Sequence, residues 1–253
     1  MAKTSTSVIG DKITPSPTNV PTPVEVTVAP SLTKASRILD LTNWKLTLPT
    51  GSFEKPTEIK QPLLKTFEAT PWFISVPSGV RFRSPVNGVT TGGSDYPRSE
   101  LREMERSGSV NASWDSTSGK HTMLIEQAIT ALPLKKKHVV AGQIHDKNDD
   151  VIVIRLEDNN LYVNVDGENK HTLDSDYTLG KKFSIRFVVE NGKTQVFYNA
   201  GTTPVYTLDK DYSGAYFKAG AYTQSNCSRE ESGDCNDTNF GEVIIYRLLV
   251  THQ

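Results

Sequence analysis

Three short stretches of this chain gather side chains able to hold an anion and move a proton. RSELREM, residues 98–104, spaces Arg98, Glu100 and Arg102 two apart. QIH, residues 143–145, sets Gln143 and His145 on either side of Ile144. YFKAGAYTQ, residues 216–224, carries Lys218, Tyr222 and Gln224 with the small Gly220 between them. As a set these residues suit removal of a proton beside a carboxylate, as at C5 of a sugar in a uronic acid polymer. That proton is too weakly acidic while the carboxylate is ionised, so charge growing on the carboxylate must be stabilised as the proton leaves. A guanidinium binds carboxylates bidentately and a primary amide adds two N–H donors, which makes Arg98 and Gln143 the electrostatic half. His145, with a reference pKa near ~6.5, can accept a proton, and Tyr222, near ~10, can give one to a departing glycosidic oxygen. Lys218 could lower the Tyr222 pKa or hold another sugar carboxylate, letting the tyrosine act as base as well as acid.

Each residue also has a plainer reading. Arg98, Glu100 and Arg102 fit a solvated ion-pair row on an exposed sheet, which is worth little. His145, like His121, His138, His171 and His252, fits a structural or surface histidine. Tyr222 fits half-buried packing with its hydroxyl satisfied. The catalytic reading draws its force from the set.

The elements that position these groups read as strands. Successive strand side chains point to opposite faces, so Arg98, Glu100 and Arg102 form one row, with Ser99, Leu101 and Glu103 facing away. Helix is the rival over SELREMER, with Ser99 as N-cap, but Gly92–Gly93 before it and Ser107–Gly108 after it leave room for little more than a short one. The same alternation puts Gln143 and His145 opposite Ile144, and Lys218, Tyr222 and Gln224 opposite Phe217, Ala219 and Ala221. Further strand candidates are HTMLIEQAI, DVIVIRLED, LYVNVDG, KFSIRFVVENG, KTQVFYNA, PVYTLD and FGEVIIYRLLVTH, with Asn191–Gly192 as a hairpin turn. Strands at this spacing without intervening helices imply an all-β fold, a two-sheet antiparallel sandwich or jelly roll with a concave cleft.

The 253 residues suit one domain with a tail. Residues 1–36 are rich in Thr, Ser, Pro and Val and read as a disordered linker, leaving 37–253 as the catalytic domain. The formal net charge of −1 argues against a generally basic nucleic-acid binder, so anion recognition must be local. No apolar run approaches the ~18–20 residues that span a bilayer, and no signal-peptide core is present. Cys227 and Cys235, the only cysteines, enclose SREESGD. A small disulfide loop is favoured over two free thiols, and a metal site has no His or third Cys nearby. The disulfide implies an oxidising, secreted or periplasmic setting, with a leader that this chain lacks. Asn111, Asn226 and Asn236 begin glycosylation sequons, a pattern frequent by chance.

RSELREM, QIH and YFKAGAYTQ, in that order, closely resemble the signature segments of the alginate lyases of polysaccharide lyase family 7. LTNWKLTLPTG (41–51) and FGEVIIYRLLVTH (240–252) resemble that family's two ends, so the likeness spans the folded domain. The resemblance implies a β-jelly roll and endolytic β-elimination of alginate, with an unsaturated uronate at the new non-reducing end. It implies that Arg98 and Gln143 neutralise the carboxylate, that His145 and Tyr222 are base and acid, and that Glu100, Arg102, Lys218 and Gln224 bind or orient substrate. No metal or other cofactor is implied. The expected partner is an anionic polysaccharide, with no nucleic acid and no membrane span, and the expected state is a monomer. Isoleucine at position 144 accompanies guluronate preference in that family, although it should point off the cleft. The alternatives are a lyase for another uronate polymer such as glucuronan, or a noncatalytic carbohydrate-binding module. A glycosidase fits less well, since Glu100 is the only carboxylate of the set and hydrolysis usually uses two.

Overall fold

The structure, a computed structural model, describes residues 1–2 and 34–253. Most of the expected linker therefore lies outside the described residues. At its end Ala35–Arg37 form a 3-10 turn, with Ala35 buried. The strands, in chain order, are β1 (Trp44–Ser52), β2 (Lys55–Ile59), β3 (Phe73–Val76), β4 (Gly79–Pro85), β5 (Arg98–Glu105), β6 (Val110–Asn111), β7 (Lys120–Ala131) and β8 (His138–His145). They continue as β9 (Asp150–Glu157), β10 (Asn160–Val165), β11 (Glu168–Asp174), β12 (Phe183–Glu190), β13 (Lys193–Tyr198), β14 (Tyr206–Asp209), β15 (Tyr216–Thr223) and β16 (Phe240–His252).

These strands form two antiparallel sheets, the sandwich expected from the alternating pattern. One sheet runs β11-β10-β9-β8-β15-β5-β1-β2, with β6 attached to β5; the other runs β14-β13-β12-β7-β16-β4-β3. The strands that hold the three chemical segments come from distant parts of the chain, yet β8, β15 and β5 are neighbours in the middle of the larger sheet. Between the sheets lies the apolar core, including Phe73, Phe82, Phe187, Phe217, Leu101, Met123 and Ile125, all fully buried. Leu101, Ile144, Phe217, Ala219 and Ala221 all face this core, so their polar neighbours must face the other way. The short-helix alternative for SELREMER is thereby excluded.

Register fixes which polar groups meet. Across β5 and β15, Arg102 pairs with Lys218, Glu100 with Gly220 and Arg98 with Tyr222. Across β15 and β8, Lys218 pairs with Gln143 and Tyr216 with His145, with a register shift between Lys218 and Tyr222. Gly220 sits at φ +144°, where a Cβ would lie 2.5 Å from the Ser99 carbonyl oxygen and 2.8 Å from Glu100 Cα. Only glycine lets β15 lie this close to β5 at the middle of the charged row.

Glu103 looks misplaced on the inner face of β5, but its carboxylate is fully employed. It accepts from the Phe217 N–H at 2.9 Å and the Trp114 Nε1–H at 3.1 Å, and its other oxygen lies 2.6 Å from His252 Nε2. The Asn191–Gly192 turn is present, with both residues at positive φ, joining β12 to β13. Cys227 and Cys235 are bonded to each other.

Gly220→Ala is expected to cost roughly 2 kcal/mol or more, by pushing β15 off β5. Gly233→Ala, where an added Cβ meets nothing within 4 Å, is the control and should stay within about 0.5 kcal/mol. Denaturant unfolding of the two variants checks this; equal midpoints would show that the close approach at Gly220 carries no strain.

Candidate active site

Arg98, Gln143, His145, Lys218 and Tyr222 line one cleft of about 390 Å³ on the outer face of the larger sheet. A larger hollow of about 530 Å³, beside Lys34, Arg37 and Lys65, has no histidine or tyrosine in its lining. The chemistry therefore points to the smaller one.

Its floor is built on Glu100. The carboxylate is wholly buried, with one oxygen 2.6 Å from Lys218 Nζ and 3.4 Å from Arg98 Nη1. The other accepts a 2.6 Å hydrogen bond from Gln143 Nε2. A buried carboxylate is costly unless paired and hydrogen-bonded, and all three partners come from the signature segments. Burial works to raise the Glu100 pKa, but the Lys218 and Arg98 charges and the Gln143 amide hold it below the usual carboxylate range. Burial and the adjacent Arg98 charge push the Lys218 ammonium down to about 8. One Gln143 N–H is committed to Glu100, which fixes the amide and leaves its second N–H for another acceptor.

The two proton-transfer candidates sit in contrasting surroundings. His145 Nδ1 lies 2.7 Å from the Asp146 carbonyl oxygen, an acceptor only, so Nδ1 carries the proton and Nε2 keeps the free lone pair in the neutral ring. The ring stacks on Tyr216, centroids 5.2 Å apart. Burial lowers its pKa, the Lys218 charge adds to this, and the Asp146 hydrogen bond works the other way. His145 is therefore neutral at neutral pH. Tyr222 shifts oppositely: burial raises its pKa, against the pull of Arg98 and of a hydrogen bond to Ser94. The Arg98 guanidinium lies over the Tyr222 ring, 3.9 Å from its centroid.

The remaining expected residues are less simply placed. Arg102 lines the cleft, but its guanidinium stacks over Tyr216 at 3.9 Å and donates to the carbonyls of Glu103 at 2.7 Å and Ala112 at 3.3 Å. Gln224 lies just past the end of β15, half-buried, its N–H donating to the His138 carbonyl, and is not part of the cleft lining. The structure adds residues that alternation alone did not single out: Ser94, Tyr216, the Lys45–Glu58 pair and the Asn148–Asp150 loop all line the cleft. Nothing in the sequence of the loop at 90–95 marks Ser94 as the residue that touches Tyr222.

The disulfide loop braces the same wall. Asn226 Nδ2 donates to the Asp95 carbonyl at 3.0 Å, and Glu230 accepts from the N–H groups of Lys135 and Lys136. Lys136 Nζ in turn donates to Tyr96 Oη at 2.6 Å. Among the described residues no group of three or more His, Cys, Asp and Glu side chains is arranged to hold a metal ion.

The chain and its fold have close counterparts. The family model described as alginate lyase matches residues 39–252. The crystal structure of the alginate lyase from Corynebacterium sp. is similar, with a TM-score of 0.83 and 50% identity over 87% of this chain and 98% of that one. The polysaccharide lyase family 7 alginate lyase AlgAT5 gives a TM-score of 0.81 and 50% identity over 87% of this chain and 99% of that one. The chain belongs to the alginate lyases of polysaccharide lyase family 7. A curated family relative, the alginate lyase of Klebsiella pneumoniae, is 24% identical, covering 84% of this chain and 89% of that protein. Family membership agrees with the two-sheet fold and excludes a purely noncatalytic module as the family reading.

In this lyase the His145 ring should titrate below the ordinary ~6.5 of histidine and carry its neutral-state proton on Nδ1. Nitrogen-15 NMR of the imidazoles, assigned with a His145→Ala variant, checks both. A ring protonated on Nε2 in its neutral form would remove it as a candidate base.

Proposed function

We propose that the lyase cuts the 1,4-glycosidic bonds of alginate by β-elimination within the polymer, preferring guluronate-containing blocks and leaving an unsaturated uronate at the new non-reducing end. The observation that carries this reading is the meeting in one cleft of a neutral histidine, a tyrosine and an Arg–Gln donor pair, drawn from three adjacent strands. Arg98 and the free N–H of Gln143 hold the sugar carboxylate and stabilise the charge that grows on it. His145 Nε2 takes the C5 proton, and the C5–H electron pair becomes the C4–C5 double bond. The C4–O pair leaves with the glycosidic oxygen, which takes the Tyr222 proton. Lys218 supplies positive potential beneath the carboxylate, balanced by Glu100.

Cutting within the polymer is supported by the sheet order. Three strands lie beyond β8 on one side and two beyond β5 on the other, so a polymer lying across the strands extends past the site both ways. The guluronate preference rests on Ile144, which is fully buried and acts through the strand that holds Gln143 and His145. Residues 37–253 are the catalytic domain in this reading. The Cys227–Cys235 bond supports a secreted or periplasmic setting.

The ultraviolet absorbance of the conjugated uronate, followed on separate polyguluronate and polymannuronate, tests the proposal. It should rise faster on polyguluronate and fall by at least ~100-fold in His145→Ala and in Tyr222→Phe. No rise on either polymer from folded protein would move the assignment to another uronate polymer, such as glucuronan. A further expectation concerns pH: kcat/KM should decline as pH rises through about 8, where Lys218 loses its charge. Lys218→Arg, charged throughout, should move that decline to higher pH. An unmoved decline would assign it to another group.

A further inference from the structure

Ser94 lies outside the strands, in the loop between β4 and β5, closing a turn with its N–H on the Thr91 carbonyl at 3.0 Å. Its hydroxyl touches both halves of the site. Arg98 Nη2 donates to Ser94 Oγ at 2.9 Å, and Ser94 Oγ lies 2.9 Å from Tyr222 Oη. The Tyr96 N–H also points at Ser94 Oγ, at 3.3 Å.

A hydroxyl has two lone pairs and one proton. Here the Arg98 and Tyr96 N–H groups occupy the lone pairs, so a further contact must use the proton. Two oxygens are within its reach: Tyr222 Oη at 2.9 Å and the Tyr96 carbonyl at 3.3 Å. The shorter contact makes Ser94 the donor and the Tyr222 oxygen the acceptor. We propose that Ser94 is a positioning residue: by donating into the Tyr222 oxygen it turns the tyrosine's own O–H away from the loop and into the cleft, and it holds the phenolate once that proton has gone to the leaving oxygen.

The loop is clamped so that this contact is preorganised. Asn226 holds the Asp95 carbonyl from behind, and Lys136 holds Tyr96, whose ring meets Tyr222 edge-on at 6.4 Å between centroids. The disulfide loop that contains Cys227 and Cys235 thus supports the residue that orients the acid. Burial raises the Tyr222 pKa, while Arg98 and Ser94 oppose it. Removing the Ser94 donor leaves burial less opposed, so the phenol should ionise at higher pH still.

This inference rests on Tyr222 acting in the elimination, but its first readout does not need substrate. Ultraviolet difference titration of tyrosinate in the full chain, with Tyr222→Phe to identify the Tyr222 component, should show that component moving to higher pH in Ser94→Ala. In the alginate assay Ser94→Ala should lower kcat about tenfold or more, the equivalent of one hydrogen bond to a charged group, with KM changed less than about twofold. Ser94→Thr, which keeps the donor, should restore both. Ser94→Cys, of similar size but with a weak S–H donor, should move both readouts the same way as alanine and serves if the alanine variant does not fold. An unmoved Tyr222 titration overturns the proposal, even if kcat, KM and thermal stability all fall together, because that pattern describes a loop with only a structural role. If wild-type protein makes no unsaturated product yet the titration shifts, the elimination reading fails and the Ser94–Tyr222 coupling stands.

Discussion

The arrangement of this site depends on keeping the Glu100 carboxylate ionised where water does not reach it. A buried anion with no partners would be neutralised or expelled. Here it has Lys218 on β15, Gln143 on β8 and Arg98 on its own strand. The pairing ties three strands together through their outer faces while Leu101, Phe217 and Ile144 tie them through the core. A one-residue slip of β15 or β8 would turn every polar group inward and every apolar group outward, so register and chemistry are enforced by the same contacts. Gly220 is part of that constraint, because it stands opposite Glu100 where no side chain fits.

How far sequence reasoning reaches follows from this. Strict alternation made Arg98, Glu100 and Arg102, Gln143 and His145, and Lys218 and Tyr222 readable as outward-facing sets, because their intervening residues are apolar or small. The same logic recovers β5, β7–β10 and β12–β16, but it does not single out β1, β3, β4 or β6 as strands. It does not recover β2 and β11, which are edge strands: KPTEI contains a proline that an edge tolerates, and ENKHTLD is polar almost throughout. Neither has the buried face that makes a period of two visible. Glu103 obeys alternation but not hydrophobicity, since its carboxylate is satisfied inside the core by partners as distant as His252. Ser94 escapes alternation altogether, because a loop has no period and its contacts depend on where the chain returns.

Arg102 shows a different limit. Spacing put it correctly on the cleft face, but side-chain direction is decided by neighbours. The Tyr216 ring and two backbone carbonyls turn its guanidinium along the wall. Its effect on an anionic polymer is then partly indirect, through Tyr216, which also stacks on His145. One cation thus steadies the ring that steadies the proposed base.

The proposed roles of base and acid rest on how one pocket treats its two rings. Burial disfavours the charged form of each, and for a histidine that means the proton is lost more easily, whereas for a tyrosine it is held more tightly. A single physical cause therefore moves the two pKa values apart and leaves His145 empty-handed and Tyr222 loaded at neutral pH. Positive charge then acts on the two rings in different ways. Lys218 further lowers the histidine, keeping it neutral, while Arg98 over the tyrosine ring favours the phenolate that proton donation produces. The cations that would grip a uronate are thus the ones that prepare both proton carriers, which is why the three segments have to be assembled as one unit.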